Sequence, residues 1–404
     1  MSTFTYKARD EAGQAVKGTM EAESQEQLAQ KLRRMGYLPT QILLTRPSFV
    51  LDDFGKKFER IRIEDMIMFN LQLANMIDSG LMILTSLRAI GEQLENKKLK
   101  QIVGQVERSI EGGATFSESL AQHNTVFPKL FVSMVKAGET SGHLPTVLNR
   151  FARYAEQRED LRQKILTACF YPSILLMAGI GVIVFIVTFV VPQFVEIFEK
   201  AGIALPLPTQ IIYSVGLGIK HFWYLIPLVI LGLIVCFKYY RQTENGKHNV
   251  DQLILKIPVI GVLVRKVIVS RFCRTLATLV DSGVPLLQGL QILKEVVGND
   301  VFVRLVQNVH DSVQEGGKIS QTLKVSQEFP PDVVQMIISG EETGQLGKML
   351  NKAADFYDTA VEYSIKKLTT LIEPIFLIIM GSMVGFIMAS MLLPMFDMVK
   401  TLRH

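Results

Sequence analysis

The chain has 404 residues, a formal charge of +5, 49% hydrophobic residues and a mean hydropathy of +0.27. That is too long for one comfortable folding unit, too greasy for a wholly soluble protein and too polar for one embedded in lipid throughout. A few spanning helices carrying water-soluble parts are expected, and three cysteines (Cys169, Cys236, Cys273) exclude a disulfide framework and fit a reducing cytoplasm.

The opening stretch MSTFTYKARDEAGQAVKG has no apolar core, so no signal peptide is expected there. Its alternation about Gly13 predicts a hairpin. Ser24 followed by Gln27 is a helix-start pattern, Gly36 a stop, and YLPTQILL a third strand. Residues 1–45 are thus expected to form a small β-β-α-β module, joined by a polar linker at 46–65 to a helical bundle at 66–169.

Inside that bundle Asp78-Ser79-Gly80 reads as a helix end with a left-handed glycine, and Glu111-Gly112-Gly113 as a turn. The pentapeptide GETSG, Gly138 to Gly142, is expected to join two helices. Gly138 would stop the first helix and Ser141 would cap the second by accepting from its free N–H groups. Glu139 would gain from the second helix's dipole. A rigid acidic tip of this kind also offers a docking point for a partner protein.

Three spans follow. The first, at 170–195, begins at Pro172 and contains Ile174 to Val191 without a charge. A connector at 196–219 leads to a shorter span at 220–238, bracketed by Trp223 and Tyr224 on one side and Tyr239 and Tyr240 on the other, as in interfacial aromatic belts. That span works if Lys220 snorkels and the helix begins earlier, after Pro206 to Gln210. A second connector at 239–268 precedes another helical bundle at 269–370, a third span at 371–396 and a tail at 397–404. Basic residues flank the bundle side of every span: Arg158, Arg162 and Lys164, then Lys238, Arg241 and Lys247, then Lys366 and Lys367. The positive-inside rule therefore puts the N-terminus and both bundles in the cytoplasm, and the 196–219 connector and the C-terminal tail across the membrane.

The two bundles are copies. FNLQLANMIDSG from Phe69 pairs with FCRTLATLVDSG from Phe272, an offset of 203 (272 − 69), so Asp281 and Gly283 repeat Asp78 and Gly80. GETSGHL pairs with GEETGQL at an offset of 202 (340 − 138), so Gly340, Glu341, Thr343 and Gly344 repeat Gly138, Glu139, Ser141 and Gly142. Pro374 repeats Pro172 at the membrane boundary, and both prolines are expected to kink their helices. Two copies that enter the membrane from one side need a return crossing between them, which is the unrepeated second span.

No assembled chemistry is visible. The six histidines are scattered, with no metal-ligand spacing. GGK at Gly316 and GK at Gly347 lack the leading glycine of a phosphate loop, since Ser312 and Glu342 stand there. The serine of GETSG is one place too late for a nucleophile elbow. Basic and acidic residues alternate, which argues against nucleic acid. Catalytic, cofactor and metal residues are accordingly expected to be absent. Glu373, beside Pro374, is the one provocative charge; an interfacial structural role, either wet or paired with Lys366 or Lys367, is weighed against a functional one.

The duplicated GE-x-[ST]-G-x-L, each copy followed by a proline-led span, and DSGVPL opening the second copy resemble the type II secretion F domain family. The opening TFTYKARDEAGQAVKG is closest to its pilus branch, of the mannose-sensitive haemagglutinin type. The resemblance covers nearly the whole chain. Cys169-Phe170 before Tyr171-Pro172, and Glu373-Pro374 for Tyr-Pro, depart from the family pattern without affecting membership. The resemblance implies a mainly α, polytopic inner-membrane platform protein without enzymatic activity. Its implied partners are a cytoplasmic hexameric assembly ATPase, pilins or pseudopilins, other inner-membrane assembly proteins and further copies of itself. A transporter component built from duplicated halves is the alternative.

Overall fold

The computed structural model describes residues 2–9, 15–22, 24–44, 61–200 and 205–401. The hairpin tip around Gly13, the linker as far as residue 60 and the last residues of the tail lie outside them. The chain divides into two units, residues 1–60 with 96–98, and the remainder.

In the first unit, Phe4, Tyr6 and Ala8 alternate inward along β1 (Ser2–Arg9) and are buried. β1 pairs antiparallel with β2 (Ala15–Ala22) on one side and β3 (Leu38–Leu44) on the other, giving the order β2-β1-β3. The register with β3 shifts between Lys7 and Ala8, beside Pro39, which cannot donate to the ladder. Helix α1 (Gln25–Arg34) starts where the Ser24 hydroxyl accepts from Gln27 N, and lays Leu28 and Leu32 against the sheet residues.

The second unit begins with α2 (Ile63–Asp78), α3 (Ile83–Gln93), α4 (Lys97–Glu111), α5 (Phe116–Ala121), α6 (Lys129–Ser141) and α7 (Leu144–Phe185). A π-helical turn at Ile186–Val190 leads to α8 (Val191–Lys200), α9 (Leu207–Phe222), α10 (Leu225–Gln242) and α11 (Glu244–Lys256). The first set then recurs in order as α12 (Ile260–Asp281), α13 (Leu286–Val297), α14 (Asp300–Gln314), α15 (Ile319–Ser326), α16 (Pro331–Thr343) and α17 (Leu346–Thr401). The cores recur as well: Phe69 meets Phe127 at 6.2 Å and Phe272 meets Phe329 at 4.7 Å, each ring buried. Burying one such side chain stabilises by about 1.5–3 kcal/mol, so these matched aromatics fix the interior of each copy.

Two helical stretches, Leu144–Lys200 and Leu346–Leu392, are long and apolar enough to cross a membrane. Large apolar side chains such as Met177, Ile180, Leu377 and Ile378 stand outward on them, as a lipid solvent requires. The expected kinks do not interrupt either helix. Pro172 lies buried inside α7 and Pro374 stands exposed inside α17, and both helices run on as unbroken elements.

The expected second span is not one straight helix. α9 and α10 meet at a bend of 80° around Trp223 and Tyr224, and make a third crossing only if the bent pair counts as one. The reason lies in packing: Ile212 of α9 joins a buried cluster with Val187, Val191, Val195, Ile387 and Met391. Most of the 196–219 connector is therefore helix, packed on the spans rather than free in solvent. The 239–268 connector is also structured, because α11 docks on α14 through Asp251, whose carboxylate accepts from Asp300 N at 2.9 Å. The tail continues α17 as helix to Thr401.

Prolines 192 and 394 occupy equivalent places near the far end of the two long helices, and each deprives a carbonyl of its donor. In the first copy the π-helical turn absorbs the defect: Val191 N–H bonds to Ile186 O, and Gly216 of α9 lies so close to the Val187 carbonyl that a Cβ there would be 2.4 Å from its oxygen. In the second copy the helix stays regular and the Thr209 hydroxyl, again from α9, donates to the freed Ser390 carbonyl at 2.6 Å in a buried site. Helix α9 thus packs against both proline sites and supplies a hydrogen bond at the second.

Candidate functional site

The repeated pentapeptides sit at the ends of α6 and α16, and their geometry differs from the expectation in each copy. Gly138 and Gly340 do not stop a helix; both are buried within one. They are glycine because the next helix folds back onto them. A Cβ on Gly138 would meet Val147 Cγ2 at 3.0 Å and Leu144 Cα at 3.3 Å, and one on Gly340 would meet Leu346 Cα at 2.9 Å. The stop falls at Gly142 and Gly344, left-handed at φ +75° and +67°.

Ser141 and Thr343 cap nothing ahead of them. Their hydroxyls donate backward, to Gly138 O at 3.4 Å and Ser339 O at 2.6 Å, as hydroxyl residues inside a helix do. The glutamates act on a different helix from the expected one. Glu139 accepts from Phe116 N at 2.7 Å and Ser117 N at 3.0 Å, so it caps α5 rather than α7. Glu341 likewise accepts from Ile319 N at 2.7 Å and Ser320 N at 3.4 Å, with a short bond from the Ser320 hydroxyl, and caps α15. In both copies a half-buried carboxylate clamps the helix hairpin to the short helix after the EGG turn. Ser141, Gly142, Thr343 and Gly344 remain exposed at the tips.

The DSG pairs have different surroundings. Gly80 and Gly283 take φ of +86° and +78°. Asp78 is exposed. Asp281 instead lies where the two bundles meet: its main-chain carbonyl accepts a short bond from Arg150 of the first copy, and its carboxylate accepts from Asn351 Nδ2 at 2.9 Å. Around it Tyr154 and Thr275 share a buried hydroxyl–hydroxyl bond of 3.2 Å, while Lys129–Glu295 at 2.6 Å and Lys164–Glu362 at 2.5 Å cross the seam at its exposed edges. Leu279, Val284 and Ile292 of the second copy complete the core of the first. The bundles are one packed body, and the seam is not legible in the sequence because its partners lie more than a hundred residues apart.

At the membrane boundary Glu373 is exposed and makes no ion pair with Lys366 or Lys367 among the described residues, so of the two interfacial arrangements it has the solvated one and not the paired one. Further along, Gly179 lets the two long helices touch: a Cβ there would lie 2.5 Å from Phe376 Cζ. Gly181, Gly381 and Gly385 face open space instead. Among the described residues no cluster of histidine, cysteine and acidic side chains has metal-site geometry.

Comparison with known proteins matches this architecture. The family described as "Type II secretion system (T2SS), protein F" matches residues 69–192 and again 272–394, the two copies with their spans. The family's N-terminal domain matches residues 1–42. A type IV pilus assembly protein PilC of Thermus thermophilus is 38% identical over all of this chain and 99% of its own length. One from Myxococcus xanthus is 34% identical over 98% of this chain and 94% of its own, and a type II secretion system protein F of Vibrio cholerae is 32% identical over 98% of each.

Proposed function

Since the chain belongs to the type II secretion system protein F family, we propose that it is the inner-membrane platform of a type IV pilus or type II secretion assembly machine. It acts without chemistry of its own, coupling a cytoplasmic hexameric ATPase to the extraction and polymerisation of pilin-like subunits. The observation that carries this reading is that each bundle continues without a break into its own apolar helix, α7 or α17. A displacement imposed on a clamped bundle is passed along such a helix into the bilayer, because helix and bundle cannot move separately. The exposed tips at Ser141-Gly142 and Thr343-Gly344 are the surfaces this reading offers to the ATPase or to other assembly proteins.

The proposed topology has the N-terminus and both bundles in the cytoplasm, the C-terminus in the periplasm, the bent α9–α10 pair as the return crossing, and self-association in the membrane. Affinity capture from native membranes tests the function. Recovery of a P-loop assembly ATPase with pilin-like proteins, and loss of pili or secretion on deletion, is expected. Intact pili and secretion with altered solute uptake would instead establish the transporter alternative. A periplasmic reporter fused after Ala204 should be active, and cytoplasmic behaviour there would overturn the topology.

A further inference from the structure

The seam between α7 and α12 forms a half-open cavity of about 210 Å³ whose wall carries Arg158, Arg162, Arg271 and Arg274. The one acid among the described residues of that wall is Asp358. Two of the arginines are neutralised. Arg274 reaches Asp355 at 2.6 Å and Asp358 at 2.7 Å, and Arg162 reaches Glu159 at 3.2 Å. The other two are not. Arg271, largely buried, donates only to the Val297 carbonyl at 3.3 Å, and exposed Arg158 forms no ion pair among the described residues. Burial first, and the charge of Arg158 second, hold the Arg271 guanidinium below its usual pKa. The buried Nε of Arg274 also lacks a hydrogen-bond partner. A neighbouring cavity of about 260 Å³ shares Tyr154, Gln157 and Arg274 and adds Arg150 and Arg153.

A half-open cationic site, in which partly buried Arg271 and exposed Arg158 have no acid partner among the described residues and Arg274 keeps a free N–H, suits an anion from outside. Three features select its class. Two unmatched positive charges suit a phosphate monoester, which carries about −1.5 to −2 at pH 7, better than a single carboxylate. The volume admits a small molecule but no helix. Arg158 lies sixteen residues (174 − 158) before Ile174, where the apolar run starts, or about 24 Å along the helix at 1.5 Å per residue. The lipid headgroup layer is only about 5–8 Å thick on each side, so it does not reach the cavity.

We propose that this cavity binds the phosphate group of a small soluble phosphate monoester. Arg158 and Arg271 hold the phosphate, the Arg274 Nε–H donates to it, and Leu161, Ile165 and Val267 receive the ester's carbon portion. Because the cavity is walled by both copies, occupancy ties α7 to α12 and stiffens the link between bundles that the platform role depends on.

The test is calorimetric titration of the full chain in phosphatidylcholine nanodiscs with phenyl phosphate and inorganic phosphate. Binding of both is expected, tighter for phenyl phosphate, whose affinity should rise with pH through about 6, where the monoester loses its second proton. Arg158→Gln and Arg271→Gln should each weaken it about tenfold or more, as expected for charge-assisted contacts. Absence of binding at millimolar ligand, or unchanged affinity in both variants, overturns the proposal. Equal affinity for N-acetylglutamate would overturn it in favour of an acidic side chain of a partner protein. Displacement of phenyl phosphate by phosphatidylglycerol in the nanodisc would overturn it in favour of lipid. If Arg271→Gln does not fold, exposed Arg158→Gln decides the question alone.

Discussion

Replacing Glu341 with alanine should loosen the first turn of α15 more than replacing Glu139 loosens α5. In the second copy the N-cap position is Lys318, which supplies no side-chain acceptor, so the Ile319 and Ser320 amides and the Ser320 hydroxyl depend on Glu341. In the first copy a second device survives the substitution. The Thr115 hydroxyl accepts from Glu118 N at 3.2 Å, and Glu118 accepts from Thr115 N at 3.1 Å. A hydrogen bond to a charged group contributes about 1.5–3 kcal/mol, and a lost helix cap costs about 0.5–2 kcal/mol. We therefore expect about 2–3 kcal/mol of local destabilisation for Glu341→Ala and about 1–2 kcal/mol for Glu139→Ala. Hydrogen exchange of the full chain in nanodiscs reads this directly. Amides at 319–326 should exchange about 30- to 150-fold faster in Glu341→Ala, and those at 116–121 about 5- to 30-fold faster in Glu139→Ala. Glutamine at either position keeps one acceptor and should give smaller effects. Faster exchange at 144–150 or 346–352 with no change in the short helices would refute the clamp and restore capping of the following helix.

Gly138→Ala and Gly340→Ala should lower thermal stability by about 1–2 kcal/mol despite alanine's better helix propensity, because the new methyl meets a packed neighbour. Gly104→Ala, in α4 with open space around it, should raise stability by about 0.5–1 kcal/mol in the same melting assay. Thr209→Val should cost about 0.6–1.7 kcal/mol by reopening the Ser390 carbonyl, whereas Thr209→Ser should restore wild-type unfolding in denaturant. Burial pushes the Cys273 thiol well above its usual pKa, so its thiolate is scarce at pH 8; iodoacetamide should spare it until the protein unfolds, as mass spectrometry of the labelled peptide would report.

What could be read from the sequence was whatever depends on neighbours along the chain. The left-handed glycines at 80 and 283, the Ser24 cap and the apolar runs all announce themselves within a few residues. The clamp did not. Glu139 and Phe116 are 23 residues apart, and only the folded hairpin shows that the carboxylate serves the earlier helix and not the next. The one available signal was that both copies keep an acid, one place after a helix glycine, at nearly the same distance from an EGG turn. Gly138 misled for a related reason: a glycine used for close approach and a glycine used for a left-handed turn look alike in one sequence. The bend at Trp223 was also hidden, since the apolar count sees length and not which helix packs against it.

The departures from symmetry carry the most physical content. A duplication hands each half the same bundle, the same proline near the end of its long helix and the same backbone defect, yet the halves occupy one molecule and must meet. Where they meet, Asp281 has become a junction for Arg150 and Asn351, while Asp78 makes no such bond among the described residues. At the far end of the spans the two proline defects are answered differently, by a π-helical turn against Gly216 and by the Thr209 hydroxyl. At both places α9, which belongs to neither copy, is the packed neighbour. An unpaired carbonyl in a lipid-facing helix costs too much to leave open, so the unrepeated segment is held against the spans by the defects that the duplication created. That explains why this segment bends at Trp223 instead of crossing as a free helix. Its first half is fixed by the two long helices, and its second half, α10, keeps apolar side chains such as Leu228, Ile230 and Leu233 exposed.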